Sequence, residues 1–85
     1  MTQYFKFESF VPRGETEKAY AFQLYSGRFG GNDEFSWFPK SAVIVSEPNQ
    51  YGNSTCMIAK WIFKSKNIRP DMLQQMAYSM EDATI

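Results

Sequence analysis

The chain has no histidine and a single cysteine, Cys56, among its 85 residues. Without histidine, Ser-His and Cys-His nucleophile pairs and imidazole metal sites cannot form. A lone cysteine cannot close an internal disulfide, which suits a reducing compartment. The close acid pairs Glu15/Glu17 and Asp33/Glu34 lie beside turns, where we expect them to be solvated rather than catalytic. The sequence therefore predicts a protein that is not an enzyme and carries no metal or cofactor.

Long apolar runs and a net charge are also lacking. No apolar stretch approaches the roughly 18 residues of a membrane-spanning helix, and the N-terminal segment lacks the apolar core of a signal peptide. We therefore expect a cytoplasmic protein without a membrane partner. Nine basic and nine acidic residues balance, so no overall field attracts nucleic acid. The balance fails locally, because residues 57–69 contain four basic residues and no acidic one: Lys60, Lys64, Lys66 and Arg69.

Aromatic side chains are plentiful, at 15 of the 85 residues. Rings of this size bury enough apolar area to stabilise so short a chain. We expect one domain over residues 1–85, with a β-rich part over residues 3–68. Alternating side chains predict strands at residues 3–11, 16–25, 34–38 and 42–47, the first two joined as a hairpin. The predicted core side chains are Phe5, Phe7, Tyr20, Phe22, Leu24, Phe35, Trp37, Val43, Val45, Ile58, Trp61 and Ile62.

The segment EFSWFPKS, residues 34–41, breaks a predicted strand directly after two large aromatics. Proline cannot donate to a sheet ladder, so the strand must end or bend at Pro39. We expect Trp37 to be the central core anchor, with Lys40 and Ser41 exposed at the corner where the sheet folds over. The alternative is that the same rings form a surface for a ligand.

The segment TCMIAKWIFKSKNI, residues 55–68, fits two structures. As a strand it alternates Met57 and Trp61 with Ile58 and Ile62. As a helix it places Ile58, Trp61 and Ile62 on one face. Periodicity alone leaves both structures open.

The last segment has a clearer helical pattern. Pro70 suits the first position of a helix, and an apolar stripe follows at the spacing of one helical face. The stripe consists of Leu73, Met76, Ala77 and Met80. The sequence therefore predicts an appended C-terminal helix over residues 70–81. Its stripe suits either packing on the sheet or pairing with a partner, as in a homo-oligomer formed through this helix.

Three stretches, GETEKAYAFQL, SWFPKSAVIV and IAKWIFKSKNI, resemble in order and spacing a group of small proteins of phages and mobile elements. That group has an E-T-E-K-A strand, a W-[IFL]-P-K-S strand end and a segment of the type P-E-W-L-A-x-K-K-G-L. The match covers residues 14–68 and implies a strand at 55–58 followed by a helix at 59–66. It implies a phage or mobile-element source but no reaction. To that pattern this chain adds an N-terminal strand, a longer glycine-rich loop at 26–33 and the C-terminal helix.

Binding is the function class that remains. Single-stranded nucleic acid is held by exposed aromatics on a sheet flanked by cations, and Tyr4, Tyr20, Tyr25, Phe29 and Trp37 are the candidate rings. The predicted binding residues are Arg28, Phe29, Lys40, Lys60, Lys64, Lys66 and Arg69. The basic segment favours nucleic acid or a nucleic-acid-handling protein, whereas the zero net charge favours a protein partner, as in an inhibitor of a host enzyme or an anti-defence protein. The predicted fold is α+β, a small antiparallel β-sheet or half-open barrel with one short helix and the C-terminal helix.

Overall fold

The computed structural model describes residues 2–24, 34–74 and 77–84. The strands and helices in chain order are β1 (Gln3–Glu8), β2 (Gly14–Glu15), β3 (Ala19–Leu24), β4 (Glu34–Pro39), a 3₁₀ helix (Lys40–Ala42), β5 (Val43–Val45), β6 (Thr55–Ala59), α1 (Lys60–Lys66), α2 (Asp71–Gln74) and β7 (Ser79–Thr84). They form a four-stranded sheet in the order β5-β6-β1-β7 and a three-stranded sheet in the order β2-β3-β4. All pairings are antiparallel. The α+β class is confirmed.

The two sheets are not closed into a barrel, and the predicted hairpin of the first two long strands is wrong. Strand β1 pairs with β6 and β7, whereas β3 pairs with β2 and β4 in the other sheet. The chain leaves β1 at Ser9, whose φ of 53° is left-handed. It then crosses to the second sheet through Phe10, whose N–H donates to the Ser54 carbonyl at 3.2 Å. This corner prevents β1 from folding back along β3.

Pro39 ends β4 as expected, and the hydrogen-bond pattern explains why proline is tolerated there. The carbonyls of Ala19 and Ala21 accept bonds from the β2 side, from Thr16 at 2.8 Å and Arg13 at 2.7 Å. Successive residues of a strand form hydrogen bonds to neighbours on alternate sides. Ala19 bonds toward β2, so Pro39, its partner in the register, turns its nitrogen away from β3 to the open edge of the sheet. Its missing N–H therefore breaks no bond within the sheet. The 3₁₀ helix that follows carries the chain into β5 of the other sheet.

Residues 55–66 form a strand and then a helix, which confirms the prediction to within one residue. Helix α1 begins at Lys60 and ends before Asn67, whose left-handed φ of 56° lets its N–H donate to the last carbonyls. The helix buries Ile62 and Phe63. Trp61 lies about 100° away from Ile62 around the helix axis and is 54% exposed. The prediction that Trp61 is a core residue is wrong.

The predicted C-terminal helix over residues 70–81 is also wrong. Among the described residues of this range, which exclude 75 and 76, a helix is present only at Asp71–Gln74, and Ser79–Thr84 form strand β7. Strand β7 bonds to β1 along its whole length, from Gln3↔Thr84 to Glu8↔Ser79. The apolar spacing signalled burial correctly, since Leu73 is fully buried and Met80 packs against the core. Pairing with β7 satisfies the N–H and C=O groups on the second side of β1, and this tertiary pairing overrides the local helical pattern.

The core lies between the two sheets and is built largely from phenylalanine. Phe22 packs on Phe10 with ring centroids 5.3 Å apart, and Phe38 joins Phe22 to Phe63. Predicted core residues that are buried are Phe7, Phe22, Leu24, Val43, Ile58 and Ile62. Phe5, Tyr20 and Val45 are partly buried and pack against this cluster. Phe35 and Trp37, in contrast, are 51% and 47% exposed, so their assignment to the core is wrong.

We predict opposite stability effects at two consecutive positions of β4. Phe38→Ala removes a fully buried ring and should cost about 3–5 kcal/mol of unfolding free energy, most of what so short a domain has. Trp37→Ala should leave the domain folded with a much smaller loss, because half of the indole is exposed. Urea titrations followed by circular dichroism give both values. An equal or larger loss for Trp37→Ala would contradict this packing.

Cys56 is a buried, inert thiol. It is completely inaccessible and its Sγ donates to the Phe10 carbonyl at 2.9 Å. Burial raises the pKa of the Cys56 thiol from 9.0 to about 12, because a thiolate would lose its hydration.

This raised pKa predicts a pH dependence of stability. The unfolded chain releases the Cys56 proton at a lower pH than the folded chain does, so the contribution is complete below pH 9.0 and is lost as pH rises toward about 12. Urea midpoints above pH 9.0 should therefore fall more steeply for the parent than for a Cys56→Ala variant. Parallel pH profiles for the two proteins would show that the thiol ionises freely in the folded state.

Candidate binding surface

The outer face of the three-stranded sheet carries two aromatic rings in the open. Phe35 and Trp37 stand on the same face of β4, and the side chains between and after them, Ser36 and Phe38, point inward. Alternation along the strand fixes this arrangement. Because Phe38 is fully buried against Phe22, Trp37 must face outward.

Small residues surround these rings on the neighbouring strands. Ala21 lies opposite Trp37 in the register and is buried beneath it. A Cβ atom at Gly14 of β2 would lie 3.7 Å from Cη2 of Trp37, so the indole reaches across β3 to β2. Gln23 lies opposite Phe35. We call Gly14, Ala21, Gln23, Phe35 and Trp37 the aromatic face.

A cleft of about 140 Å³ adjoins this face. It is lined by Ser9, Phe10, Val11, Arg13 and Gln23, so Gln23 belongs to both the cleft and the aromatic face. Val11 is 49% exposed, and Arg13 is exposed and makes no ion pair with a described residue. The aromatic face therefore continues into a concave surface that has an available cation.

The basic residues predicted to form a binding patch are largely engaged within the fold. Lys60 lies 3.0 Å from the Asp82 carboxylate, and its Nζ is 4.9 Å from the centre of the Phe5 ring. Arg69 pairs with Asp71 at 3.4 Å. Lys66 lies over the Phe38 ring at 5.6 Å. Lys64 is exposed and makes no ion pair with a described residue. The structure therefore does not bring these four residues together as a free cationic patch.

Lys40 is held at the corner between the sheets. Its Nζ donates to the Glu15 carboxylate and lies 4.9 Å from the centre of the Tyr20 ring. The hydrogen bond that Lys40 donates to Glu15 holds the pKa of Lys40 above its usual 10.5, because the bond favours the charged form. Of the two residues predicted to be exposed here, Ser41 is exposed and Lys40 is half-buried.

The other predicted site residues divide into two groups. Arg28, Phe29 and the candidate ring Tyr25 lie outside the described residues. Tyr4 and Tyr20 are partly buried against the core and offer no open ring face of the kind that Phe35 has.

Sequence reasoning favoured the core for both Phe35 and Trp37 and kept only Trp37 as a candidate stacking ring, although a signal for the aromatic face was present. Strand β3 alternates large residues with small ones, and only the large face, Tyr20-Phe22-Leu24, suits a core. In an antiparallel pair, residues that are directly opposite share a face. The register, which places Ala21 against Trp37, was the missing information.

Neither a metal-binding group nor a membrane-spanning helix occurs among the residues that the structure describes. No three histidine, cysteine, aspartate or glutamate side chains among them lie close enough to hold a metal ion. Within the same ranges no helix is long and apolar enough to cross a membrane. No protein-family model, curated protein or solved structure matches the chain. The function of the aromatic face must therefore be inferred from its own geometry.

We predict different roles for two lysines one helical turn apart. Lys60→Glu places a carboxylate beside Asp82 and should reduce the unfolding free energy by up to about 1 kcal/mol, because an attractive pair becomes repulsive. Lys64→Glu makes the same charge change at an exposed position and should leave stability unchanged. Urea midpoints of the two variants at low ionic strength test this. A larger loss at Lys64 would contradict the ion pair.

Proposed function

We propose that this protein is a non-catalytic binding accessory protein that holds single-stranded nucleic acid on its aromatic face. The observation that carries the proposal is the pair of half-exposed rings, Phe35 and Trp37, side by side on one sheet face. A strand rises about 3.3 Å per residue, so the two rings are attached about 7 Å apart. Sheet-borne aromatics of this kind stack successive bases in nucleic-acid-binding modules.

One cation beside the aromatic face and one at the start of β3 support this partner. The Arg13 N–H bonds to Ala21 within the face, and Lys18 directly precedes β3. Both residues are exposed and neither makes an ion pair with a described residue. They are few, so stacking rather than charge would supply most of the affinity. The resemblance to small proteins of phages and mobile elements is compatible with an accessory role of this kind in a host cytoplasm.

An inhibitor that binds a host enzyme or defence protein is the second candidate function. It is favoured by the ion pairs that occupy Lys40, Lys60 and Arg69. With these three basic groups paired, exposed apolar rings predominate over unpaired charged groups on the surface. Exposed tryptophan and phenylalanine are also enriched at protein interfaces.

Binding to fluorescent single-stranded oligonucleotides, followed by anisotropy, tests the first candidate. Phe35→Ala and Trp37→Ala should each weaken binding about 5- to 150-fold, the equivalent of 1–3 kcal/mol per stacked base. Trp61→Ala is the matched control, because Trp61 is exposed to a similar degree but lies on α1. It should bind as the parent does.

The salt dependence of the same binding gives a second expected result. With only one or two cations contacting phosphate, the slope of log affinity against log salt should lie between about −0.7 and −1.4. A parent that binds no oligonucleotide, or a Trp61→Ala variant as impaired as Trp37→Ala, would overturn the nucleic-acid proposal. A protein partner that depends on Phe35 and Trp37 would then support the inhibitor.

A further inference from the structure

The four outermost strands of the two sheets are guarded to very different degrees. In the part of the chain that the structure describes, β2 has two residues and β5 has three, and both are too short to template another strand. Strand β7 is longer but carries Glu81 and Asp82. Natural sheets protect their edges with short strands and charges of this kind. Strand β4 has six residues, and residues 35–39 carry no charge. The one guard within residues 35–39 is Pro39 at the C-terminal end, so the stretch 35–37 is the least protected edge among the described strands.

The backbone of β4 presents hydrogen-bonding groups at this edge that no described strand uses. In strand β3, the backbone groups of Ala19 and Ala21 bond toward β2. The residues between and after them, Tyr20 and Phe22, therefore bond toward β4. Their partners on β4 include Ser36 and Phe38. The N–H and C=O groups of Phe35 and Trp37 therefore point away from the sheet. No described strand pairs with β4 on that side.

We propose that β4 pairs antiparallel with β4 of a second copy of this chain, around a two-fold axis that passes beside Ser36. In this register the outward groups of Phe35 in each copy bond to those of Trp37 in the other. Ser36 faces its own counterpart as a non-hydrogen-bonded pair. The two three-stranded sheets then form one continuous sheet, with four aromatic rings on its outer face.

A second copy suits this edge because the strand is self-complementary. A two-fold interface brings the same patch of each subunit together, and an uncharged patch meets itself without repulsion. The register also places Phe35 across from Trp37 twice, an aromatic cross-strand pair of the kind that stabilises antiparallel sheets. The inference rests on the edge of the sheet and does not depend on the proposed function.

Sedimentation equilibrium of the parent and two variants at one position tests the pairing. Phe35→Ala removes the ring and keeps the outward N–H, whereas Phe35→Pro removes the outward N–H as well and costs no bond to β3. The parent should be a dimer at high concentration. The dimer dissociation constant of Phe35→Pro should be about tenfold or more higher than that of Phe35→Ala, because each copy loses one intersubunit hydrogen bond. Circular dichroism checks that both variants fold.

A cross-linking experiment that needs no proline tests the register. In a non-hydrogen-bonded antiparallel pair the Cα atoms lie about 4.5 Å apart, within the span of a disulfide. Ser36→Cys should therefore form a disulfide-linked dimer under mild oxidation. Ser41→Cys, exposed on the 3₁₀ helix, should stay largely monomeric, and the buried Cys56 takes no part.

Three results would overturn the proposal. The first is a parent that remains monomeric at the highest soluble concentration. The second is a dimer that is equally stable in Phe35→Ala and Phe35→Pro, since that dimer would use another surface. The third is cross-linking of Ser41→Cys as readily as Ser36→Cys. Each result is independent of whether oligonucleotides bind.

Discussion

The burial of Phe38 is the constraint on which the rest of the structure depends. The centre of its ring lies 5.5 Å from that of Phe22 in the same sheet and 5.7 Å from that of Phe63 in α1, and Lys66 lies over it. This one side chain therefore joins the three-stranded sheet to the helix that follows the other sheet. Because side chains alternate along a strand, fixing Phe38 inward turns Trp37 outward. The aromatic face is thus a consequence of how the core is closed.

Three of the six lysines also take part in the packing of the fold. Lys40, Lys60 and Lys66 each lie over the ring of a core or near-core aromatic residue, 4.9–5.6 Å from its centre. Their long apolar stems cover the rings while the charged groups reach solvent or a carboxylate. Within the basic segment 57–69, Lys60 and Lys66 therefore contribute to packing. The exposed cations that make no ion pair with a described residue include Arg13 and Lys18 near β2 and β3, and Lys64 on α1.

The sequence predicts much of this fold and less of the candidate site. The positions of β3 and β4, the break at Pro39 and the change from strand to helix near Lys60 follow from alternation, proline chemistry and the resemblance to small phage proteins. The conversion of residues 79–84 into a strand could not be foreseen, because it depends on the open edge of β1. The exposure of Trp37 depends on the register between β3 and β4. Local patterns do not contain that information.

The central claim is that Phe38 faces the core and Trp37 faces solvent, and fluorescence tests it most directly. In a Trp61→Phe variant, Trp37 is the sole tryptophan. At the lowest protein concentration that gives a signal, acrylamide should quench its emission readily in the folded protein. The emission maximum should lie at the long wavelength of a hydrated indole. A blue-shifted emission that acrylamide fails to quench until the protein unfolds would place Trp37 in the core and contradict the account.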